Sequence, residues 1–145
     1  MNAGRICSRV VVTASPQETI RSTARRMAEQ DVGTLVVLDG TAGGKPIGIV
    51  TDRDVVVRCM ARNLDPDLER VGIIMTAPVQ VIEEHAPVEE AMARMARTGT
   101  RRLVVTSAAG GMVGVLSLDD VIDLLSREAE TIGGLLAKQQ IHVPA

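Results

Sequence analysis

Apolar residues in this chain fall into two series with the same order. Ile20, Ala24, Met27 and Ala28 lie on one helical face by their spacing. Val88, Met92, Met95 and Ala96 repeat that spacing farther along. A short apolar run follows each face, TLVVL at Thr34–Leu38 and RLVVT at Arg102–Thr106. Next comes a glycine-rich stretch, DGTAGGKPIG in the first series and the shorter SAAGGMVG in the second, as hairpin turns require. Each series closes on one phrase, GIVTDRDV at Gly48–Val55 and GVLSLDDV at Gly114–Val121. The phrase is glycine, two apolar residues, a hydroxyl, two variable residues, aspartate, valine.

Each series therefore predicts helix, strand, glycine turn, strand, helix. The first has a helix near Pro16–Glu29, strands near Leu35–Leu38 and Ile47–Thr51, and a helix from Asp52 to about Ala61. The second has a helix near Pro87–Arg97, strands near Leu103–Thr106 and Val113–Ser117, and a helix from Leu118 to about Arg127. A short extended run precedes each first helix, at Val10–Ala14 and Val79–Glu83. The units span 6–63 and 71–130, with a linker at 64–70 in which Asp65-Pro66 favours a break. Gly133-Gly134 is expected to end the last helix, leaving a mostly polar tail at 131–145. A three-stranded sheet covered on one side by two helices is too small to be comfortable alone. Two such units can bury their sheets against each other around a pseudo-twofold axis.

The composition narrows the function. Of 145 residues, 46 % are hydrophobic and 23 % charged, ordinary for a globular protein. The net charge of −2 gives no field to attract a nucleic-acid backbone. The chain has no Phe, Tyr or Trp, so no ring is available to stack on a base. A bound nucleobase would have to lie against aliphatic walls and backbone amides. Cys7 and Cys59 lack disulfide spacing, which fits a reducing compartment. Met1–Val10 lacks the apolar core of a signal peptide, and no apolar run approaches the ~20 residues of a membrane span. A cytoplasmic location is expected, with no membrane partner.

Two β-α-β-β-α units, each closing on the same glycine-to-aspartate phrase, resemble a tandem pair of cystathionine β-synthase-type (CBS) domains. The resemblance covers Ile6 to about Glu130. It implies a mixed α/β (α+β) fold with two repeats packed sheet to sheet. It also implies a stand-alone regulatory module that binds AMP, ADP, ATP, S-adenosylmethionine or a similar adenosine-containing ligand between its repeats. Members of the family commonly pair as homodimers through their helices, and the Ala/Met/Val-rich helices here allow that.

Two readings of the repeated phrase stand side by side. Thr51 with Asp54, and Ser117 with Asp120, have capping-box spacing at a strand-to-helix junction, which needs no ligand. The same geometry offers an anion the free N–H groups of a helix start. It also offers two neighbouring hydroxyls an acceptor-only carboxylate, and a ribose carries such a pair. The resemblance implies Asp54 with Thr51 in one cleft and Asp120 with Ser117 in the other, each aspartate holding a ribose. It also places Gly33-Thr34 and Arg101-Arg102 along the clefts. Val10-Val11 and Pro78-Val79 would line them as well, unless these four are plain core positions. Arg101 and Arg102, expected beside Ser117 and Asp120, could bind phosphate through charge-assisted bonds. A solvated strand edge is the bland alternative. Arg53 is a further basic candidate, and its counterpart Asp119 is acidic, so the two sites should be unequal.

Other motifs fall away. DGTAGGK does not make a phosphate-binding loop, because Asp39 stands at the first glycine position and Pro46 follows Lys45. Cys7, Cys59, His85 and His142 lack zinc-ligand spacing, so no metal site is expected. The methionine-bearing helix faces read as core, and Cys59 as a core residue. No nucleophile stands with a base, so catalysis is not expected. A ligand-free scaffold for dimerisation or protein interaction remains the competing reading, with Asp54 and Asp120 as caps alone.

Overall fold

The computed structural model describes residues 1–140. The first repeat contains β1 (Thr13–Ala14), α2 (Ile20–Gln30), β2 (Thr34–Leu38), β3 (Pro46–Thr51) and α3 (Asp52–Asp54), preceded by a short helix, α1 (Ala3–Ile6). The second contains β4 (Val81–Glu83), α4 (Val88–Thr98), β5 (Arg102–Thr106), β6 (Met112–Ser117) and α5 (Leu118–Gln140), preceded by a 3-10 turn at Val71–Ile73. Two three-stranded sheets result, ordered β1-β2-β3 and β4-β5-β6. In each, the first pair of strands is parallel and the second antiparallel. This is the mixed α/β pair of repeats expected from the pattern.

Successive residues of the middle strands face opposite sides of the sheet and both sides are buried, so Leu35–Val37 and Leu103–Val105 are continuous apolar runs. Leu35, Val37 and Val50 join Ile20 and Met27 in one core, and Leu103, Val105 and Leu116 join Ala91 and Met95 in the other. Val36 and Val104 point to the opposite faces and are also fully buried. The two sheets close over these valines, and the hairpin turns meet at the rim, where a Cβ on Gly111 would stand 3.0 Å from the Gly43 carbonyl oxygen. Cys59 is buried in the first core, as its core reading required.

Local chemistry sets the element ends. Helix α2 starts at Ile20 rather than at Pro16, because Thr19 caps it and Glu18 turns back to accept from the Ser15 amide at 2.8 Å. It ends where Asp31 takes a left-handed conformation, and α4 ends likewise at Gly99. Arg26 on α2 binds the Thr13 carbonyl and the Glu18 carboxylate, and Arg94 on α4 binds the Val81 carbonyl. These arginines pin each helix to the first strand of its unit. Burial alone would raise the Glu18 pKa, but bonds from Arg26 and the Ser15 amide hold it below its ordinary value.

Three elements differ from the expected pattern. The helix after Thr51 is irregular, with a wide π turn at Val55–Cys59 and a 3-10 turn at Met60–Arg62. Gly133-Gly134 does not end the last helix, and α5 continues to Gln140. Glycine weakens a helix by entropy but keeps its backbone hydrogen bonds, and the flanking residues Glu128–Glu130 and Leu135–Lys138 are good helix formers. The helix therefore runs on into the expected tail, whose last residues, 141–145, lie outside the described part. Helix α1 has no counterpart in the sequence reading.

The lead-in segments of the two repeats are exchanged. Ala3 of α1 lies in the core of the second repeat, where its amide donates to Ala86 at 2.9 Å and the Gly4 amide to Glu84 at 2.8 Å. Val71 and Ile74 lie in the core of the first repeat, and the Val71 amide donates to Glu18 at 2.8 Å. Ser8 then exchanges two backbone bonds with Val115, both 2.9 Å, and Thr76 exchanges two with Ile49, at 2.8 and 3.0 Å. Each hairpin thus gains a crossing segment from the start of the other repeat. The glycine of the repeated phrase makes room for it. A Cβ on Gly48 would meet Met75 Sδ at 2.5 Å and the Thr76 oxygen at 3.1 Å. One on Gly114 would collide with the Ser8 carbonyl oxygen and stand 2.8 Å from Cys7 Sγ.

Gly114→Ala is expected to cost about 1–3 kcal/mol of stability, as overpacking against backbone does. Gly40→Ala, at a position open to solvent, should stay within about 0.5 kcal/mol of the parent. Urea unfolding followed by circular dichroism reads both.

Candidate functional site

The two strand-to-helix corners are built alike. Thr51 ends β3, its Oγ1 accepts from the Asp54 amide at 3.2 Å, and Asp54 Oδ2 accepts from the Thr51 amide at 2.9 Å. Ser117 ends β6, its Oγ accepts from the Asp120 amide at 3.2 Å, and Asp120 Oδ2 accepts from the Ser117 amide and hydroxyl, both at 2.8 Å. Both corners are capping boxes. Each box commits one carboxylate oxygen and leaves Oδ1 outside it.

A cleft opens beside each corner. The first, about 390 Å³, is lined by Thr51, Asp54, Pro78, Val79, Arg101 and Arg102, with Ile49, Thr76, Gln80 and the Thr98–Thr100 turn. The second, about 300 Å³, is lined by Ser117, Asp120, Val10, Val11, Gly33 and Thr34, with Ser8, Val12, Val32, Val36, Val115 and Arg102. Each cleft joins the corner of one repeat to the lead-in run and the helix-to-strand turn of the other. Val10 is 92 % exposed, so it is a cleft-mouth residue and no core position.

This arrangement adds to one expectation and corrects another. Arg101 lines the Thr51/Asp54 cleft and, with Arg102, a small pocket beside Ser117 and Asp119 that does not include Asp120, whereas Arg102 reaches both clefts. The reason is the pseudo-twofold packing, which sets the helix-to-strand turn of one repeat against the corner of the other. The Arg101 guanidinium also stands 3.8 Å from Asp119 in an exposed pair. Arg53 lines neither cleft; it is exposed on the outer side of the corner, and its amide donates to the Asp52 carboxylate at 2.8 Å.

One functional neighbour went unread in the sequence. Arg58 Nε lies 3.6 Å from Asp54 Oδ1, and its terminal nitrogen donates to the carbonyls of Ile74 at 3.1 Å and Met75 at 3.3 Å. It ties the first corner to the crossing segment. Aligning the phrases puts Leu124, a buried core residue, at the corresponding place. Asp120 Oδ1 accepts no hydrogen bond from the described residues. The signal was the mismatch between VVVRC and VIDLL after the two aspartates.

Among the described residues, no three His, Cys, Asp or Glu side chains converge as a metal site; His142 lies outside them. No helix among them is long and apolar enough to cross a membrane.

Comparison with known proteins agrees with this architecture. The CBS-domain family model matches residues 3–60 and 69–127. An uncharacterized protein of Methanopyrus kandleri, MK0525, is 32 % identical over 124 residues, 86 % of this chain and 62 % of the relative. The chain thus spans less than two thirds of that relative. Hypoxic response protein 1 of Mycobacterium tuberculosis is 28 % identical over 129 residues, 89 % of this chain and 84 % of its own. The CBS domain protein PAE2072 of Pyrobaculum aerophilum, solved in complex with AMP, superposes with a TM-score of 0.73 at 30 % identity, covering 83 % of this chain and 89 % of its own.

In the ligand-free protein, Asp120→Ala is expected to lower stability by about 1.5–3 kcal/mol, the worth of hydrogen bonds to a charged acceptor. Denaturant midpoints of parent and variant measure it.

Proposed function

The chain belongs to the CBS-domain family as a tandem pair, and on that premise we propose a regulatory module that binds an adenosine-containing ligand between its repeats. One observation carries the reading: a carboxylate, an aliphatic wall and two arginines converge on the first cleft. Asp54 Oδ1, outside the capping box, serves two ribose hydroxyls as acceptor. Pro78, Val79 and Ile49 offer the purine the aliphatic faces that a chain without aromatic residues must use. Arg101 and Arg102 stand where charge-assisted bonds would hold a phosphate. Among AMP, ADP, ATP and S-adenosylmethionine, the AMP complex of PAE2072 supports AMP as the first ligand to test.

The second cleft repeats the ribose and purine features with Asp120, Val10 and Val11 but has fewer cations. A ligand there would cover Val10, which is otherwise exposed. Occupancy acts on a partner or on self-association through its difference in affinity between two states. No residue of either cleft serves as a nucleophile in this reading, and the setting is cytoplasmic.

Self-association uses the helices that follow the two corners. Val56, Val57 and Met60 on the first, and Ile122 and Leu125 on α5, are large apolar residues between 44 % and 68 % exposed. A homodimer covers both patches at once, because they follow equivalent corners. Ile122→Glu with Val56→Glu is expected to convert a dimer to a monomer in light scattering; a monomeric parent would contradict this part.

Thermal unfolding by circular dichroism tests ligand binding. AMP at 100 times its dissociation constant should stabilise the protein by about 2.7 kcal/mol. Asp54→Ala should remove most of that gain, and Arg101→Gln should weaken AMP more than adenosine. If AMP, ATP, S-adenosylmethionine and adenosine all leave the melting temperature unchanged, the scaffold reading replaces this one.

A further inference from the structure

We propose that Arg102 is shared by the two clefts and makes them compete for anionic ligands; the proposal rests on the ligand-binding reading above. Arg102 opens β5 directly across from Ser117 in the β5–β6 register. From there it lines both the Asp54 cleft and the Asp120 cleft. Its guanidinium makes no ion pair or side-chain hydrogen bond with the described residues; only its backbone is engaged, by Thr100.

The cation inventory of the clefts is unequal. The Asp54 cleft has Arg101 and Arg102, whereas among the described residues Arg102 is the only basic one lining the Asp120 cleft. A phosphate in the Asp120 cleft beside the Asp120 carboxylate therefore depends on Arg102 for its countercharge. A phosphate in the Asp54 cleft draws on the same guanidinium. One side chain cannot form its short, directed bonds in two places at once. The first anionic ligand to bind therefore weakens the second, and by linkage the effect is reciprocal. An uncharged nucleoside has no claim on the guanidinium and escapes the coupling. The repeat counterpart of Arg102 is Thr34, too short to act in this way. The device is thus built into the second repeat alone.

Calorimetric titration of the full chain with AMP and with adenosine tests this. Methyl resonances of Val79 and Val11 report which cleft fills. In the parent, AMP is expected to enter the Asp120 cleft at least about tenfold more weakly than in Asp54→Asn, where the other cleft is crippled. Adenosine should enter that cleft equally well in both proteins. Arg102→Gln should weaken AMP there and erase the difference made by Asp54→Asn, closing a double-mutant cycle. The proposal is overturned if AMP enters the Asp120 cleft equally well in parent and Asp54→Asn. It is also overturned if AMP never enters that cleft, or if the difference survives Arg102→Gln. Should adenosine bind both clefts while AMP shows no coupling, only this proposal falls. Should neither AMP nor adenosine bind, the ligand-binding reading falls and takes this one with it.

Discussion

The docking of each lead-in segment on the other repeat's hairpin is the contact on which the structure depends. Four backbone hydrogen bonds, two at Ser8–Val115 and two at Thr76–Ile49, add a strand-like segment to each sheet. Gly114 and Gly48 permit the approach, since any side chain there would enter the crossing backbone or Met75. The exchange also completes the cores, with Ala3 in one and Val71 and Ile74 in the other. A three-stranded unit of this size is marginal alone. Here neither core is complete without residues from the opposite repeat, so the pair is expected to fold as one unit.

The clefts follow from the same exchange. After crossing, each lead-in run passes the opposite repeat's corner on the way to its own sheet. That path brings Pro78-Val79 to Asp54 and Val10-Val11 to Asp120. Capping leaves room for the proposed binding at these corners, because the box uses one carboxylate oxygen and spares the other. The pseudo-symmetry then breaks through single substitutions. Arg58 stands beside Asp54 at the place of Leu124, and Arg101 lines the first cleft where Gly33 lines the second, so more cations gather at the Asp54 corner than at the Asp120 corner.

Much of the fold was legible because it rests on local periodicity. The helical faces at Ile20–Ala28 and Val88–Ala96, the short apolar strand runs and the two corners all announce themselves in local pattern. The exchange did not, because it joins residues far apart in sequence and its only trace is the repeated glycine. The same long-range origin explains why Arg101 also lines the Asp54 cleft. Strand pairing sets it near Ser117, and packing between repeats sets it at the Asp54 cleft too. Arg53 misled for the opposite reason: it sits inside the phrase, but a helix start turns successive side chains to different sides. Gly133-Gly134 is a true local weakness, yet the good helix formers on either side carry α5 through it.

The central claim is that each cleft is made jointly by both repeats. Its most direct measurement is the set of nuclear Overhauser contacts between bound AMP and methyl-labelled Ile and Val side chains. The account predicts contacts from one adenine ring to Ile49 of the first repeat and Val79 of the second. Contacts confined to one repeat, or to methyl groups outside both clefts, would contradict it.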